Sequence, residues 1–212
     1  MSAPIVSVNV GGRRTVQWRG HDVVTAIWKA PVDGPVALAG VNFDGDDQAD
    51  RRVHGGPDKA VYAYAAEDYA WWSSELGVEV ALATFGENLT TEGIDLGACR
   101  IGDRWRVGTA VLEVAQPREP CFKLGIRMGD DHFPDRFADA QRPGAYLRIV
   151  EGGTITAGDA VAVEPTTLPA VAVGALVGEL DEGLLLQVVA DDRLPAGWRR
   201  RASGALNRAM GS

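Results

Sequence analysis

Apolar residues in this chain come in short runs broken by glycine and proline, a spacing that predicts many short strands and few helices. Pro4 to Val10 alternates apolar and polar positions and stops at Gly11-Gly12, as a half-buried strand does. Thr15 to Trp18 and Val23 to Trp28, rich in β-branched and aromatic residues, predict two more strands around Arg19-Gly20-His21-Asp22. Lys29 to Pro35 reads as a turn with Lys29 at a strand end, and Val36 to Phe43 as a strand that bends or bulges at Gly40. Ala60 to Tyr64 is strand-like. Ile101 to Gly108 and Thr109 to Ala115 read as a hairpin that delivers the chain to Pro117. Ala145 to Val150 predicts a further strand, and Thr154 to Glu164 a last hairpin around Gly158-Asp159.

Helical periodicity is sparse. Glu67 to Leu76 has acidic residues in its first turn and Gly77 as its stop, and its Tyr69, Trp72 and Leu76 share one face that reads as core. The pattern weakens after Cys121, with a short helix expected over Asp135 to Gln141. Beyond a boundary at Pro165 to Pro169, short helices are expected over Val171 to Leu180, Leu184 to Val189 and Trp198 to Met210, broken by Gly183 and Pro195. The organisation expected is mainly β with a few helices: a domain over residues 1–165 and a small helical C-terminal appendage over residues 169–212.

Composition narrows the class. With 26 Gly and 11 Pro in 212 residues, turns are frequent enough to support the β-rich reading. The net charge of −8 argues against nonspecific nucleic-acid binding and a polybasic membrane anchor, and no apolar run approaches the roughly 20 residues of a membrane span. The first ten residues lack a basic signal-peptide region, so the expected setting is a reducing cytoplasm with Cys99 and Cys121 as free thiols. Any anion site must then be a local basic pocket.

Gln116-Pro117-Arg118-Glu119-Pro120-Cys121-Phe122-Lys123-Leu124 is the stretch with the most pointed chemistry. Two prolines stiffen the approach to Cys121, and Arg118 and Lys123 are cations of the kind that favour a thiolate, the form that attacks electrophiles and binds soft metals. A buried structural cysteine is the competing reading. Asp44 to Lys59 is long, polar and glycine-rich, and contributes Arg51, Arg52, His54 and Lys59 beside paired glycines that let a backbone approach a ligand. Asn88 offers a side-chain amide suited either to a heterocycle or to holding a turn. Zinc-site spacings, a dinucleotide-binding glycine motif, a Walker A loop and a G-x-S-x-G elbow are all absent. Cys121 as a nucleophile with His54 as base is one possibility. The other is a thiolate on a metal whose remaining ligands come from an anionic organic cofactor, and this accounts better for the cationic loops.

Five stretches carry a family resemblance: Thr25 to Val32, Gly45 to Asp50, His54 to Tyr62, Phe85 to Thr90 and Gln116 to Cys121. They resemble, in order, the MOSC domain family, named for the C-terminal domain of molybdenum cofactor sulfurase, and in particular its bacterial stand-alone members with a small C-terminal three-helix domain. The resemblance implies a β-barrel core and a molybdenum cofactor, Mo-molybdopterin, with Cys121 as the metal ligand. It carries Lys29, Arg52, His54, Lys59, Asn88, Arg118 and Lys123 over as candidate cofactor contacts. Relatives of this type reduce N-hydroxylated compounds such as hydroxylaminopurines and amidoximes, without pyridoxal phosphate. No flavin or iron–sulfur motif occurs here, so a separate electron-donating reductase is expected. Two alternatives stand beside this: a sulfur carrier with a persulfide on Cys121, and a non-catalytic module that holds the cofactor for another enzyme. The region after Pro169 departs from the pattern in being short and alanine-rich.

Overall fold

The computed structural model describes residues 3–49 and 55–210. In chain order, β1 (Ala3–Val10) is followed by a hairpin of β2 (Arg14–Trp18) and β3 (His21–Thr25), by β4 (Ala30–Pro31), and by β5 (Val36–Ala39) with β6 (Asn42–Phe43). Then come β7 (Val61–Ala65), α1 (Ala66–Leu76), β8 (Leu89–Thr91), β9 (Arg104–Val107), β10 (Ala110–Pro117), α2 (Phe122–Met128) and α3 (Phe133–Asp139). The chain continues through β11 (Ala145–Glu151), β12 (Gly153–Ile155), β13 (Ala160–Glu164), α4 (Glu182–Ala190) and α5 (Ala196–Met210).

Seven strands close on themselves in the order β13-β9-β10-β11-β7-β8-β1, with Ala3 opposite Val161 sealing β1 to β13. Closure removes the exposed edges that an open sheet would leave. Within the barrel β7 and β8 are parallel and every other pair is antiparallel. Parallel neighbours need a crossover, and α1 supplies it between them.

β7 is buried along its whole length, and its alternation divides two cores. Val61, Ala63 and Ala65 belong to the cluster that includes Leu112, Trp105, Leu147 and Ile5. Tyr62 and Tyr64 point the other way, into an aromatic cluster with Tyr69 and Trp72 of α1, Phe85, and Phe133 and Phe137 of α3. Phe85 lies within 5.0 Å of both Tyr64 and Tyr69, and Trp72 donates its indole N–H to the Tyr64 hydroxyl at 2.8 Å. The aromatic face expected on the first helix is therefore core.

Several expectations are corrected. The hairpin expected over Thr154 to Glu164 has its turn, with Asp159 Oδ2 accepting the Thr156 N–H, but its arms join different sheets: β12 pairs with β5, and β13 with β9 and β1. The strand expected through Trp28 ends at Thr25, and Trp28 instead lies beneath the guanidinium groups of Arg14 and Arg127, at 4.6 and 5.7 Å. The weak pattern after Cys121 hides α2, whose internal Gly125 packs so closely on the Asp130 carbonyl that a Cβ would sit 2.9 Å from its oxygen. Val171 to Leu180 is not an α-helix. Its β-branched start runs extended beside residues 97–101 and turns once at Gly174–Leu176. Val171, Val173, Leu176, Val188 and Trp198 then join the same buried cluster as the barrel residues, so the C-terminal segment is packed on the β core rather than loosely linked to it.

Gly144 shows how tightly the two cores meet. Its φ of 64° is left-handed, and a Cβ there would press on the Ala63 carbonyl oxygen and approach the Tyr64 and Tyr62 rings to 2.8 and 2.9 Å. Gly144→Ala is expected to lower unfolding free energy by about 1–3 kcal/mol or more in urea titrations.

Candidate functional site

The site begins where β10 ends. Pro117 is still paired with Ala145 of β11, which suits a residue that donates no N–H at a strand end. Four residues later Cys121, extended at φ −138°, becomes the residue that caps α2, and its carbonyl accepts the Leu124 N–H at 2.8 Å. The loop therefore places a half-buried thiol at the start of a helix, the end at which negative charge is favoured.

The facing wall is a buried polar clasp. Asp46 accepts from Lys29 Nζ and from the Gly11 N–H (2.9 Å) on Oδ1, and from Asn88 Nδ2 (2.8 Å) on Oδ2. Burial pulls the Lys29 pKa below the usual lysine range, and the Asp46 carboxylate offsets this in part. Asn88 also donates to the Asn9 carbonyl at 3.3 Å and accepts the Tyr62 N–H at 3.1 Å, so its amide joins β1 to β7 as well as touching the clasp. Gln48 ties the loop's described ends together, donating to the Val41 and Lys59 carbonyls and accepting the Gly56 N–H at 3.0 Å. Gly86, at φ 76°, lies so close to Ile27 that a Cβ would come within 2.8 Å of its side chain.

Lys29, Lys59, Asn88, Arg118, Cys121 and Lys123 line one cleft between these walls. Arg118 is 7% exposed and sits over the rings of Tyr62 and Phe137 at 4.9 and 5.5 Å, donating to the Phe85 carbonyl. Among the described residues no carboxylate pairs with it. A guanidinium removed from water in this way is costly unless an anion reaches it. Burial lowers the Lys59 pKa, opposed by the charges of Glu119 and Cys121. The cleft encloses about 100 Å³, against roughly 300 Å³ or more for sites that engulf a whole organic ligand, so it takes part of such a ligand rather than the whole.

The C-terminal segment braces this loop. Trp198 donates its indole N–H to Gln116 Oε1 at 3.0 Å, and Gln116 donates to the Asp58 carbonyl at 3.0 Å, next to Lys59. Arg148 spans Asp58 (2.6 Å), Glu113 (3.0 Å) and the Arg193 carbonyl, while Arg201 reaches Glu119 at 2.9 Å.

Comparison with known proteins shows the family and the fold. The model of the MOSC domain matches residues 50–162, which is more than half of the chain. The chain belongs to the MOSC domain family. YflK of Bacillus subtilis (strain 168) is 40% identical over 154 residues, covering 73% of this chain and 70% of that protein. YiiM of Escherichia coli (strain K12) is 35% identical over 136 residues, 63% of this chain and 61% of its own length. A protein named "Reductase" from Gibberella moniliformis is 36% identical over 149 residues, 68% of this chain and 26% of that longer protein. The crystal structure of YiiM from Geobacillus stearothermophilus superposes with a TM-score of 0.78 at 28% identity, covering 95% of this chain and 98% of that one. MOSC is a molybdenum cofactor sulfurase-type domain, which associates this chain with that cofactor.

Of the residues singled out in the sequence, this MOSC domain brings six into one cleft. Arg52 and His54 lie outside the described residues, as does Arg51. Sequence reasoning missed Tyr62 and Tyr146, which line the cleft, and the part of Asp46 in holding Lys29. A carboxylate needed by a buried lysine was the available signal for Asp46. Nothing local marks two tyrosines, on separate strands, as neighbours.

The neighbouring Glu87 is fully buried. Its Oε1 accepts from Tyr69 (2.7 Å), Ala83 N–H (2.7 Å) and Thr90 (3.0 Å), whereas Oε2 has no partner among the described residues. Burial raises its pKa above the ordinary 4.5, against the pull of these hydrogen bonds. The folded state then holds a proton that the unfolded chain releases, so this contribution is complete below pH 4.5 and is lost as pH rises through the native pKa. Glu87→Gln removes the titration; its unfolding free energy relative to wild type is expected to improve from pH 4 towards 7, and a constant difference would refute this.

Trp198→Phe strands the Gln116 acceptor and is expected to cost about 1–3 kcal/mol in urea unfolding. Cys121 should then be alkylated several-fold faster. Cys99, buried and with its pKa pushed up to about 12 by burial, serves as the unreactive internal standard. Unchanged alkylation would show that the brace stops short of the cysteine loop.

Proposed function

We propose that the chain is a molybdenum-cofactor-dependent reductase of N-hydroxylated compounds, such as hydroxylaminopurines or amidoximes, acting in the cytoplasm with electrons from a separate protein. The observation that carries this is the pairing, in one cleft, of the Cys121 thiol with a buried Arg118 that no described carboxylate neutralises. The donor set fits the cofactor: a thiol suits a soft metal, and a buried guanidinium with Lys59 and Lys123 suits phosphate. Among the described residues no three His, Cys, Asp or Glu side chains converge, so further ligands to a metal at Cys121 are expected from the cofactor. The relative named a reductase supports the reaction class, and among the described residues no helix is long and apolar enough to cross a membrane.

When bound, the cofactor would supply a redox centre that gives two electrons to the substrate and is recharged by a donor. The chain's own residues do the rest. Cys121 would hold the centre at the end of a proline-stiffened loop, and Arg118, over the Tyr62 and Phe137 rings, would bind its anionic part. Lys29 Nζ holds a proton in the cleft, oriented by Asp46. The overall reaction consumes two electrons and two protons; the N–O bond breaks, the nitrogen is left as the amine or amidine and the oxygen leaves as water.

Cys121→Ala in protein from a cofactor-competent host is expected to lose about 100-fold or more of benzamidoxime reduction with reduced viologen as donor, equivalent to about 2.7 kcal/mol of barrier. Pterin content should fall less, because the cationic contacts remain. Full turnover in the variant would sink the proposal. An extra transferable sulfur on wild-type Cys121 in intact-mass spectra, with no pterin, would favour sulfur transfer.

A further inference from the structure

Trp28 stands in the chain between two residues of the cleft wall, Ile27 and Lys29, and its ring meets two further cations. The Arg14 guanidinium lies 4.6 Å from the ring centroid and that of Arg127 5.7 Å, so at most about 10 Å separates the two charges. Arg14 is exposed and Arg127 half-buried, and neither pairs with a carboxylate among the described residues. The acids on adjoining segments are engaged elsewhere: Asp47 with Arg13 at 2.7 Å, Asp131 with Arg19 at 2.6 Å and Asp130 with Arg136 at 3.4 Å. Glu87, whose charge acts on Arg127, is buried and makes no bond to it.

A ring face orients a guanidinium without neutralising it. Here two of them share one ring, and Arg127 Nε is buried with no hydrogen-bond acceptor among the described residues. A like-charged pair with an unused buried donor is stabilised by an anion with several acceptor oxygens. Phosphate, with three, suits two guanidinium forks better than one carboxylate does. The pair also continues the cleft's own row of cations: Lys123, which lines the cleft, lies one turn before Arg127 on α2, where side chains four apart are neighbours. Along that helix Arg127 stands a rise of about 9 Å beyond Cys121. The span is close to the reach of a mononucleotide from the exocyclic nitrogen of its base to its 5′-phosphate.

We propose that Arg14 and Arg127 bind the 5′-phosphate of the substrate, so that the site reduces N-hydroxylated purine nucleotides in preference to the free base or nucleoside. The inference rests on the reductase reading and names its substrate class. With the phosphate held at the Trp28 rim, the N-hydroxyl group of the base is directed towards Cys121. Two electrons from the donor and two protons cleave the N–O bond, leaving the exocyclic amine and water, and the phosphate is unchanged. The cofactor's own phosphate has Arg118, Lys59 and Lys123 inside the cleft, which leaves the Trp28 pair to the substrate.

The test titrates the full holoenzyme with 5′-AMP and with adenosine by calorimetry, and assays the hydroxylaminopurine ribonucleoside and its 5′-monophosphate with reduced viologen. Wild type is expected to bind 5′-AMP about tenfold or more tighter than adenosine, with a similar advantage in kcat/KM carried by KM. Arg14→Gln/Arg127→Gln should bring both ratios to within about twofold of unity. Arg14→Gln alone, at an exposed position, should cut them about threefold or more and serves if the double variant does not fold. Arg19→Gln removes the same charge away from Trp28 and should leave both ratios as in wild type. Equal binding of 5′-AMP and adenosine by wild type overturns the proposal, as does an advantage that survives in the double variant or falls equally in Arg19→Gln. Loss of most of the pterin from the double variant would assign these arginines to the cofactor and overturn it too. Failure of wild type to reduce either substrate would instead overturn the reductase reading, and the calorimetry still tests the phosphate site.

Discussion

A positive charge buried with no carboxylate against it among the described residues is the constraint around which this structure is arranged. Arg118 lies at the seam between barrel and aromatic cluster, over Tyr62 and Phe137, and donates to the Phe85 carbonyl. Ring faces and one carbonyl hold such a group in place but do not neutralise it. The neighbouring cation, Lys29, is treated differently, with Asp46 against its ammonium group. The two walls of the cleft therefore hold their cations differently, one by a carboxylate and the other by ring faces and a carbonyl.

The barrel makes this possible because β7 is covered on both sides. A strand with one solvated face would expose Tyr62 and let water screen Arg118. Here α1, α3 and Phe85 close the outer face, so the residues above β7 meet a low-dielectric floor. The same packing sets the cost of change. Gly144 and Gly86 have left-handed backbones at points where side chains or carbonyls leave no room for a Cβ, so the close approach of the two cores depends on residues without side chains.

Much of this was legible in the chain. Two prolines ahead of Cys121, a cation two residues after it, and the alternation that predicts most strands are local facts, and each survives in the fold. What was not legible is what depends on partners distant in sequence. The turn at Gly158 was visible, but which sheets its arms would join was not, because strand pairing is settled by neighbours such as Leu38 and Trp105. α2 was obscured by Gly125, a poor helix former that is present because the Asp130 carbonyl leaves no space. Asn88 read equally well as ligand contact or structural amide, and its three bonds, to Asn9, Tyr62 and Asp46, lie across more than twenty residues of sequence.

The C-terminal segment looked like an appendage because its composition changes after Pro169. Its contacts give it a different standing. Trp198 holds Gln116 at the end of β10, Gln116 holds the turn that carries Lys59, and Arg201 holds Glu119, so both cationic loops are tied to one helix. A buried N–H to carbonyl bond between neutral side chains is worth about 1 kcal/mol net, about 1–3 kcal/mol where its loss strands one partner, and an exposed ion pair less, so these ties add modestly to global stability. They restrict where two loops can sit relative to each other. Since a misplacement of about 1 Å at a reacting centre can cost a hundredfold in rate, position is the larger effect of such weak bonds. The last helix therefore sets the geometry of the thiol loop from behind, through bonds that are individually weak.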